Sequence, residues 1–390
     1  MPKRDPTLFT AAPLPVSVLD DGERLACLRL IRSAQVGPAT FRELINHCGG
    51  AREALRALPE LSRRAKNPIR ICPEEDAEAE LDAARKCGAR PVFTIEPGYP
   101  ALLAVIDAPP PMLYVKGRTE LFTKPAIGIV GSRDASAAGI KLSRQFAREL
   151  SISGFVIVSG LARGIDAAAH EASLDGGTVA VLAGGADIVY PPEHAALQAQ
   201  IAEGGCLVTE QPPGFVPRAK DFPRRNRLIS GLSLGVIVVE AARRSGTLVT
   251  ARFAGEQGRE VFAVPGHPLD PRAEGTNQLL KSGATIATEP QDVLDTLAPQ
   301  LQRRGLGLSE GPDTEQRSVS SPAPPAQRPE PSDSERARVL SALGPHPIDI
   351  DEVVRATALG AREVRIVLME LDLAGEITRH GQQLVSRSPR

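Results

Sequence analysis

Residues 126–154 read AIGIVGSRDASAAGIKLSRQFARELSISG, an apolar run followed by a glycine-containing loop and a segment of helical spacing. The apolar run is rich in Ile and Val and does not alternate with polar residues, which is typical of a parallel strand covered by helices on both faces. The segment 139–154 repeats apolar residues at helical intervals and ends on a glycine, as helices often do. The stretch therefore predicts one strand, loop and helix unit of an α/β sheet.

The same alternation continues to residue 297. Further apolar runs read FVIVSG, TVAVLAGG, CLVTE, GVIVVE, EVFAVPG and ATIAT, and amphipathic segments such as PPEHAALQAQIAEGG and GTLVTARFAGEQG separate some of them. Strands that alternate with helices in this way form doubly wound, mostly parallel sheets. We therefore predict an α/β domain of this class over residues 89–298.

A small helical domain is predicted before the sheet, over residues 1–88, with its ordered part at about 20–88. Residues 24–58 contain two runs of helical spacing separated by the turn QVGP. Helical hairpins of this kind can bind nucleic-acid backbone through a glycine-containing turn, and they also serve as packing modules. We favour a packing or partner role, and the other role stays open.

Residues 299–333 are rich in Pro, Ser, Gln and charged residues and almost free of large apolar side chains. Such a segment cannot bury enough apolar surface to offset the entropy of ordering, so a flexible linker is predicted.

Residues 334–390 resume helical periodicity and close with a short polar-apolar alternation, an order that resembles a winged helix-turn-helix. The predicted recognition helix, 361–373, carries two arginines but also Glu363, Glu370 and Asp372. Duplex readers normally present a more basic face, so we favour an interaction module over a duplex reader.

Whole-chain composition excludes several classes of protein. The 46 Lys and Arg residues against 47 Asp and Glu give a formal net charge of −1, so any anion-binding face must be a local concentration of charge. The five cysteines form no CxxC pair, which indicates neither a disulfide framework nor a zinc site. No apolar run approaches the ~20 residues that span a bilayer, so we expect a cytoplasmic protein without membrane insertion.

Small and basic residues follow the predicted strands, at the sheet edge where ligands bind in this architecture. Small residues let a ligand approach the backbone, helix N-terminal amides attract anions, and arginines supply full positive charge. The set predicts a phosphate site and comprises Gly131, Ser132, Arg133, Gly160, Arg163, Gly164, Gly184, Gly185, Ser245, Gly246 and Thr247.

Nicotinamide dinucleotide and P-loop sites fit this sequence poorly. The first strand is followed by GIVGSRDASAAG in place of G-x-G-x-x-G, and the second strand ends at Ser159 and Gly160 without an acidic residue for a ribose. No Gly-Lys-Ser/Thr follows any strand, so phosphoryl transfer is also disfavoured. We expect no cofactor.

Hydrolysis would require a nucleophile and base or paired carboxylates, and the strand-end candidates are Asp166, His170, Asp187 and Glu240. Asp166 and His170 lie four residues apart and would share a helix face. That spacing permits a catalytic acid–base pair. It also permits a helix-start acid with a histidine packed against it, which we favour.

A basic segment at 220–231 reads KDFPRRNRLISG, and residues 218–227 hold five basic residues and one acid. We expect it to lie in a long loop after the strand CLVTE. Phe222 could then stack on a base while neighbouring arginines hold the backbone of a single strand. The competing interpretation buries Phe222 in the sheet core and places the arginines on a solvated helix face.

Ordered blocks between residues 99 and 297 resemble a known family. They include IGIVGSRDAS, IVSGLARGIDAAAHEASL, TVAVLAGGADIVYPPEH, TEQPPG, DFPRRNRLISGLS and VIVVEAARRSGTLVTARFA, and in this order they resemble the DNA-processing protein DprA family, also called Smf. The helical hairpin before them, of helix-hairpin-helix or SAM-like type, and the winged helix after them resemble accessory domains of that family. The resemblance implies a non-catalytic Rossmann-like protein that binds and protects single-stranded DNA during natural transformation. It also implies loading of the RecA recombinase onto that strand and a homodimer formed through the Rossmann-like domain.

The resemblance also implies site residues. The family's anion pocket falls on Gly131, Ser132, Arg133, Gly160, Arg163 and Gly164. Its strand-contacting segment falls on Lys220, Phe222, Arg224, Arg225, Asn226 and Arg227. Asp166, His170, Glu240, Ser245 and Gly246 remain possible structural or accessory residues, and no catalytic or metal-binding residue is implied.

Two other functions stay open. A related Rossmann-like phosphoribohydrolase would cleave a nucleoside monophosphate using Glu240 and an arginine, but its Pro-Gly-Gly-x-Gly-Thr loop is matched here only by the Ser-Gly-Thr at 245–247. Alternatively, the winged helix would make the protein a duplex-binding regulator. Truncation at Pro299 distinguishes this last function from single-strand binding.

Binding to a single strand is predicted to be mostly electrostatic, because the chain has 10 Phe, 3 Tyr and no Trp and cannot form an extended stacking platform. If about three to five phosphates are neutralised, log K falls against log salt concentration with a slope of about −2 to −3.5. Fluorescence anisotropy of a labelled oligonucleotide at several salt concentrations measures the slope. A slope near zero would contradict the prediction.

Overall fold

The computed structural model describes residues 18–63, 69–303, 331–381 and 383–388. Four helices come first: α1 (Asp21–Arg32), α2 (Pro38–Cys48), α3 (Ala51–Leu61) and α4 (Glu74–Lys86). Local sequence explains where they begin and end. The Asp20 carboxylate accepts a hydrogen bond from the Glu23 amide at the start of α1, and Gly49 adopts the left-handed conformation that ends α2.

A nine-stranded sheet follows in the described chain, in the order β1-β2-β6-β5-β4-β3-β7-β8-β9. Neighbouring strands from β3 to β9 pair in parallel, whereas β2 pairs antiparallel with both β1 and β6. This confirms the predicted doubly wound, mostly parallel α/β sheet. The strands are β1 (Arg90–Phe93), β2 (Met112–Gly117), β3 (Ala126–Val130), β4 (Val156–Ser159), β5 (Thr178–Val181), β6 (Cys206–Thr209), β7 (Gly235–Val238), β8 (Glu260–Ala263) and β9 (Thr285–Ile286).

Helices connect the strands and cover the sheet. They are α5 (Ala101–Ala104), α6 (Ala137–Ile152), α7 (Ile165–Ala172), α8 (Ala195–Gly204), α9 (Asp221–Gly231), α10 (Thr247–Glu256), α11 (Glu274–Lys281) and α12 (Pro290–Arg303). The central strands are buried on both faces, and successive side chains join different cores. Ile127 and Ile157 join one core, whereas Val130, Val156 and Val158 join the other. This two-sided burial explains why the strands read as unbroken apolar runs.

The strand order reverses at β3. The chain proceeds from β3 through β4 and β5 to β6 on one side, and then returns to place β7 on the other side of β3. In open α/β sheets, ligands bind at such a switch point, beyond the carboxyl ends of the strands. The loops after β3, β4 and β7 therefore surround the expected ligand position.

The C-terminal part is a winged helix with a core of its own. Its elements are α13 (Asp333–Ala342), β10 (Ile348–Asp349), α14 (Ile350–Thr357), α15 (Ala361–Leu373), β11 (Ile377–His380) and β12 (Leu384–Arg387), and the strands pair in the order β10-β12-β11. The predicted recognition helix coincides with α15. The predicted linker, 299–333, lies largely outside the described residues, although its first five residues belong to α12.

Tyr114 and an ion pair attach the N-terminal helices to the edge of the sheet. The buried Tyr114 hydroxyl donates to Glu80 Oε1 over 2.5 Å, and Arg32 of α1 donates to the same carboxylate from two nitrogens, the shorter bond being 2.7 Å. Burial raises the pKa of the Tyr114 phenol, so the hydroxyl keeps the proton that it donates. One carboxylate thus joins α1, α4 and β2.

Tyr114→Phe is expected to lower the free energy of unfolding by about 1.5–3 kcal/mol, because it removes a hydrogen bond to a charged group while the ring keeps its packing. Thermal and denaturant unfolding measure the change. Tyr190→Phe is the matched control, since Tyr190 is half-exposed and should change stability by less than about 0.5 kcal/mol. Equal stability of the two variants would contradict the attachment.

Candidate nucleic-acid interface

A groove lies along the carboxyl edge of the sheet at the switch point. It consists of two adjoining cavities, with volumes of about 190 Å³ and 700 Å³. Arg133, Tyr190, Phe222 and Arg225 line both cavities and therefore form the boundary between them. The smaller cavity lies over the loops after β4 and β5, and the larger one extends to the start of α10.

The loop after β3 presents an exposed arginine from a closely packed turn. A side chain at Gly131 would meet Ile165 at 2.5 Å, so this position requires glycine. The Thr247 hydroxyl donates to the Gly131 carbonyl over 3.0 Å and connects the turn to the start of α10. Arg133 itself is exposed and lies over the Phe222 ring, 5.4 Å from its centroid.

Glu240 holds the other end of the same loop. Its carboxylate accepts hydrogen bonds from the Ser136 amide, over 3.0 Å, and from the Ser136 hydroxyl. The Ser136 hydroxyl oxygen in turn accepts from the Gly139 amide and caps α6. Glu240 is thus a structural residue at a helix N-terminus, where its negative charge is favourable.

Asp166 organises the loop after β4. Its buried carboxylate accepts hydrogen bonds from the amides of Gly160 (3.1 Å) and Ala162 (3.4 Å), and burial raises its pKa. The Gly160 amide is therefore occupied within the protein. Gly164 has a φ of 71° and packs against the Ser132 carbonyl, so this position also requires glycine.

His170 lies inside the sheet domain and is fully buried. Its Nδ1 lies 2.7 Å from the Thr178 hydroxyl, and that hydroxyl donates to the Ile157 carbonyl over 3.0 Å. Nδ1 is therefore the donor in the histidine bond. Burial lowers the pKa of His170 to about 3, so the ring is neutral. His170 is therefore a buried residue of the sheet domain whose hydrogen-bond partner is Thr178.

Residues 221–231 form helix α9, and the expectation of a long loop is wrong for this segment. The loop after β6 ends at Lys220. Asp221 begins the helix, and its carboxylate accepts a hydrogen bond from the Arg218 amide. Because the segment is helical, its side chains point in different directions. Phe222, Arg225 and Asn226 line the groove, whereas Arg224 and Arg227 do not.

The arginines of α9 have three different environments. Arg225 is buried and donates to the carbonyls of Gly160, over 2.6 Å, and Val181. Arg227 pairs with Glu210 and donates to the Ala108 carbonyl over 3.0 Å. Arg224 is exposed. Two of the three arginines therefore hold the fold together.

Arg225 and Asp166 are opposite charges buried beneath the groove, and each favours the charged form of the other through space. Burial lowers the pKa of Arg225 to about 10, so the guanidinium keeps its charge at neutral pH, and it favours the charged form of Asp166. The Asp166 carboxylate fixes the amides of the β4 loop, and the Arg225 guanidinium fixes its Gly160 carbonyl. A side chain at Gly160 would meet this guanidinium at 2.6 Å.

Phe222 lies between an aromatic ring and a cation. The Tyr190 ring is centred 5.1 Å from it at an angle of 48°, and the Arg133 guanidinium lies over its face. Phe222 lines both cavities and is not part of the sheet core.

The groove brings together most of the predicted site residues. Those that line it are Gly131, Ser132, Arg133, Gly160, Arg163, Asp166, Gly184, Phe222, Arg225, Asn226, Ser245, Gly246 and Thr247. Gly164, His170, Lys220, Arg224, Arg227 and Glu240 do not line either cavity. Asn226 braces the start of α10 by donating to the Gly246 carbonyl over 3.3 Å. Arg163 is exposed at the rim and pairs with Glu193.

Two groove residues were missed from the sequence, Tyr190 and Arg244. Tyr190 follows β5 within VYPPEH, and an aromatic residue after a strand was the available signal. Arg244 is exposed in the loop after β7 and lines the larger cavity. With Arg133 and Arg163 it gives the groove three exposed arginines, of which Arg163 pairs with Glu193, against one exposed lining acid, Asp134.

The fold and the groove define a Rossmann-like protein with a cationic, partly aromatic groove at its switch point. Residues 90–298 match the family model of DNA recombination-mediator protein A. Residues 21–83 match a DprA-like N-terminal HHH domain, and residues 323–383 match a DprA winged helix domain. The chain belongs to the DNA recombination-mediator protein A (DprA) family.

Individual relatives agree with this assignment. The chain is 43% identical to protein Smf of Escherichia coli over 282 residues, which cover 71% of this chain and 72% of that protein. It is 43% identical to the DNA processing protein DprA of Bacillus subtilis over 56% of this chain and 74% of the relative. The crystal structure of DNA processing protein A from Streptococcus pneumoniae aligns with a TM-score of 0.60 and 32% identity, covering 71% of this chain and 98% of the other.

The described residues offer neither a membrane-spanning helix nor a cluster of metal-binding side chains. None of the helices there is long and apolar enough to cross a membrane. No cluster of three or more His, Cys, Asp or Glu side chains in the same residues could hold a metal ion.

Arg225→Ala is expected to lower the free energy of unfolding by about 1.5–3 kcal/mol, because it removes the charged donor of the buried hydrogen bonds to the Gly160 and Val181 carbonyls. Arg224→Ala is the matched control and should change stability by less than about 0.5 kcal/mol, since Arg224 is exposed. Differential scanning calorimetry measures both. Similar stability of the two variants would show that the buried guanidinium does not hold the groove together.

Proposed function

We propose that this protein binds single-stranded DNA in the groove, protects the strand, and loads RecA onto it during natural transformation and recombination. The arrangement of Arg133, Phe222 and Tyr190 carries the proposal, because it places a cation and two aromatic rings together at the boundary of the cavities. A single strand offers what such a site requires, a phosphate for the cation and an open base face for a ring. Membership of a DNA recombination-mediator family supports the same ligand.

The length of the groove favours a strand over a mononucleotide. The two cavities together exceed the volume of one nucleotide, and exposed cations lie at separate points along them. Arg133 would hold one phosphate at the centre, Arg244 a second at the α10 end, and Arg163 a third at the far rim. Lys220 and Arg224 lie outside the cavities and are exposed, so they would contact the strand where it leaves the groove.

The remaining site residues have supporting roles in this proposal. Arg225, Arg227 and Asn226 are engaged in hydrogen bonds that hold α9 against the sheet and the α10 loop. Gly131, Gly160 and Gly164 allow the loops to pack closely. Direct DNA contact is thus assigned to Ser132, Arg133, Arg163, Lys220, Phe222, Arg224 and the additional residues Tyr190 and Arg244.

The phosphoribohydrolase alternative receives no support from the carboxylates considered for catalysis. Asp166 and Glu240 accept hydrogen bonds from loop amides, and Asp187 accepts from the Gly214 amide. His170 is neutral and buried. We therefore propose a non-catalytic role.

A homodimer formed through the sheet domain and loading of RecA complete the proposal. Two grooves on one dimer would engage the same strand at a high effective concentration, so that modest single-site affinity suffices. Light scattering measures the dimer. RecA ATPase activity on a strand coated with single-strand-binding protein measures the loading, and a protein that leaves this activity unchanged would exclude it.

Arg133→Ala and Arg244→Ala are each expected to weaken single-strand binding and to make the salt slope shallower by about 0.7, because each removes one phosphate contact. Phe222→Leu should cost about 1–3 kcal/mol of binding free energy through lost base stacking, with little change in the slope. Arg148→Ala, which removes an exposed arginine on α6, is the matched control. Anisotropy titrations at several salt concentrations measure all four. Wild-type binding by Arg133→Ala, Arg244→Ala and Phe222→Leu would exclude the groove.

A further inference from the structure

The recognition helix of the winged helix is docked on the N-terminal helical domain. Arg379 of β11 donates two hydrogen bonds to the Glu43 carboxylate of α2, over 2.6 and 3.1 Å, and one to Asp372 over 3.0 Å. The Thr40 hydroxyl of α2 donates to Asp372 over 2.6 Å. These four side chains form one network across the domain boundary, and Arg379 is almost fully buried in it.

Apolar packing accompanies this network. Met369 and Leu373, on the C-terminal half of α15, are buried in the same hydrophobic core as Phe41 and Ile45 of α2. Met369 and Leu373 do not belong to the winged helix's own core. The docked face therefore excludes water and stabilises the contact in the way that an interdomain core does.

The wing also contacts the rest of the molecule. Gly381, in the turn between β11 and β12, lies against the Asp107 carboxylate in the loop after α5. A side chain at Gly381 would overlap that carboxylate. The winged helix is therefore held at two places, along α15 and at the wing.

The N-terminal half of α15 faces α2 across a cleft of about 350 Å³. Arg362, Arg365 and Ile366 line one side, and Arg42 and Asn46 line the other. A recognition helix reads duplex DNA by inserting this half into a major groove about 12 Å wide. With α2 on the opposite wall, the cleft cannot admit a duplex.

Two of the three acidic residues that argued against duplex reading, Glu370 and Asp372, are engaged elsewhere. Glu370 accepts two hydrogen bonds from Arg336, over 2.6 and 2.8 Å, and Asp372 belongs to the docking network. The Glu363 carboxylate folds back against Gly360 at the start of α15. An undocked helix would therefore present Arg362 and Arg365 together with Glu363, so that basic side chains outnumber acidic ones.

We propose that docking of the winged helix on α2, which we call the clasp, keeps a duplex-binding face of α15 inaccessible to DNA. The network of Thr40, Glu43, Asp372 and Arg379 keeps the clasp closed. Duplex DNA binds through Arg362 and Arg365 only when the clasp opens. Because the closed state lacks this face, the apparent duplex affinity is reduced by the fraction of molecules that are open.

Glu43→Ala in the full chain is expected to open the clasp. Amide hydrogen exchange should rise in α2 and in the C-terminal half of α15, and duplex affinity should increase by about tenfold or more as the open fraction grows. Thr40→Val, which removes one hydrogen bond and keeps the side-chain shape, should give a smaller increase of the same kind. It remains informative if Glu43→Ala is poorly folded.

Two controls assign the effect to the clasp. Glu171→Ala deletes the same charge from a surface pair with Arg144 on α6 and should leave duplex affinity within about twofold of wild type. Arg362→Ala and Arg365→Ala, added to Glu43→Ala, should abolish the gain. Single-strand binding by Glu43→Ala should be unchanged, which separates this proposal from the function of the groove.

Three results would overturn the proposal. In the first, Glu43→Ala leaves hydrogen exchange in α2 and α15 at the wild-type level, so the network does not hold the domains together. In the second, exchange rises while duplex affinity stays constant, so the docked helix hides no duplex-binding face. In the third, the gain survives in the variant that also lacks Arg362 and Arg365.

Discussion

The buried hydrogen bonds of Arg225 and Asp166 to the strand-end loops are the interactions on which the groove depends. Asp166 accepts hydrogen bonds from the amides of the β4 loop, and Arg225 donates to carbonyls at the ends of β4 and β5. Each charge would be costly to bury without these hydrogen bonds, and the two opposite charges also favour one another through space. Together they place α9 against the sheet edge. Because Phe222 lies on α9, the same pair also positions the ring that divides the two cavities.

The chain carries almost no net charge, yet the groove is positively charged. The reason is that some arginines are paired within the protein and others are not. Some are bound to carboxylates or carbonyls and hold elements together, as Arg227 does with Glu210 and Arg379 with Glu43. Others, such as Arg133 and Arg244, extend into the groove. Only the second kind remains available to a polyanion, so anion binding follows from the pairing of charges more than from their number. The winged helix follows the same rule, because Glu370 and Asp372 are bound to arginines while Arg362 and Arg365 face the cleft.

Much of the fold could be predicted from the sequence. Each buried parallel strand appears in it as an unbroken apolar run, and each helix appears as apolar residues at helical intervals. The α15 boundaries and the residues of the β3 loop were predicted for the same local reasons. The prediction was wrong at 221–231, where a Phe-Pro pair and three arginines suggested a loop. Pro223 is tolerated in the first turn of α9, since the amide it lacks has no partner within the helix there. The expectation that Arg224, Arg225 and Arg227 all contact the strand followed from this wrong secondary structure.

The sequence by itself determined the class of sheet, the order of its parts and the position of a site at the strand ends, since these follow from local periodicity and from the geometry of parallel strands. Only the tertiary structure decided which arginine is buried and which is free, since that depends on residues far away in the chain. Arg225 meets the Gly160 carbonyl, and Arg379 meets Glu43, across 65 and 336 positions respectively. Local pattern carries no information about such partners. The burial they impose determines whether a charge supports the fold or remains accessible to a ligand.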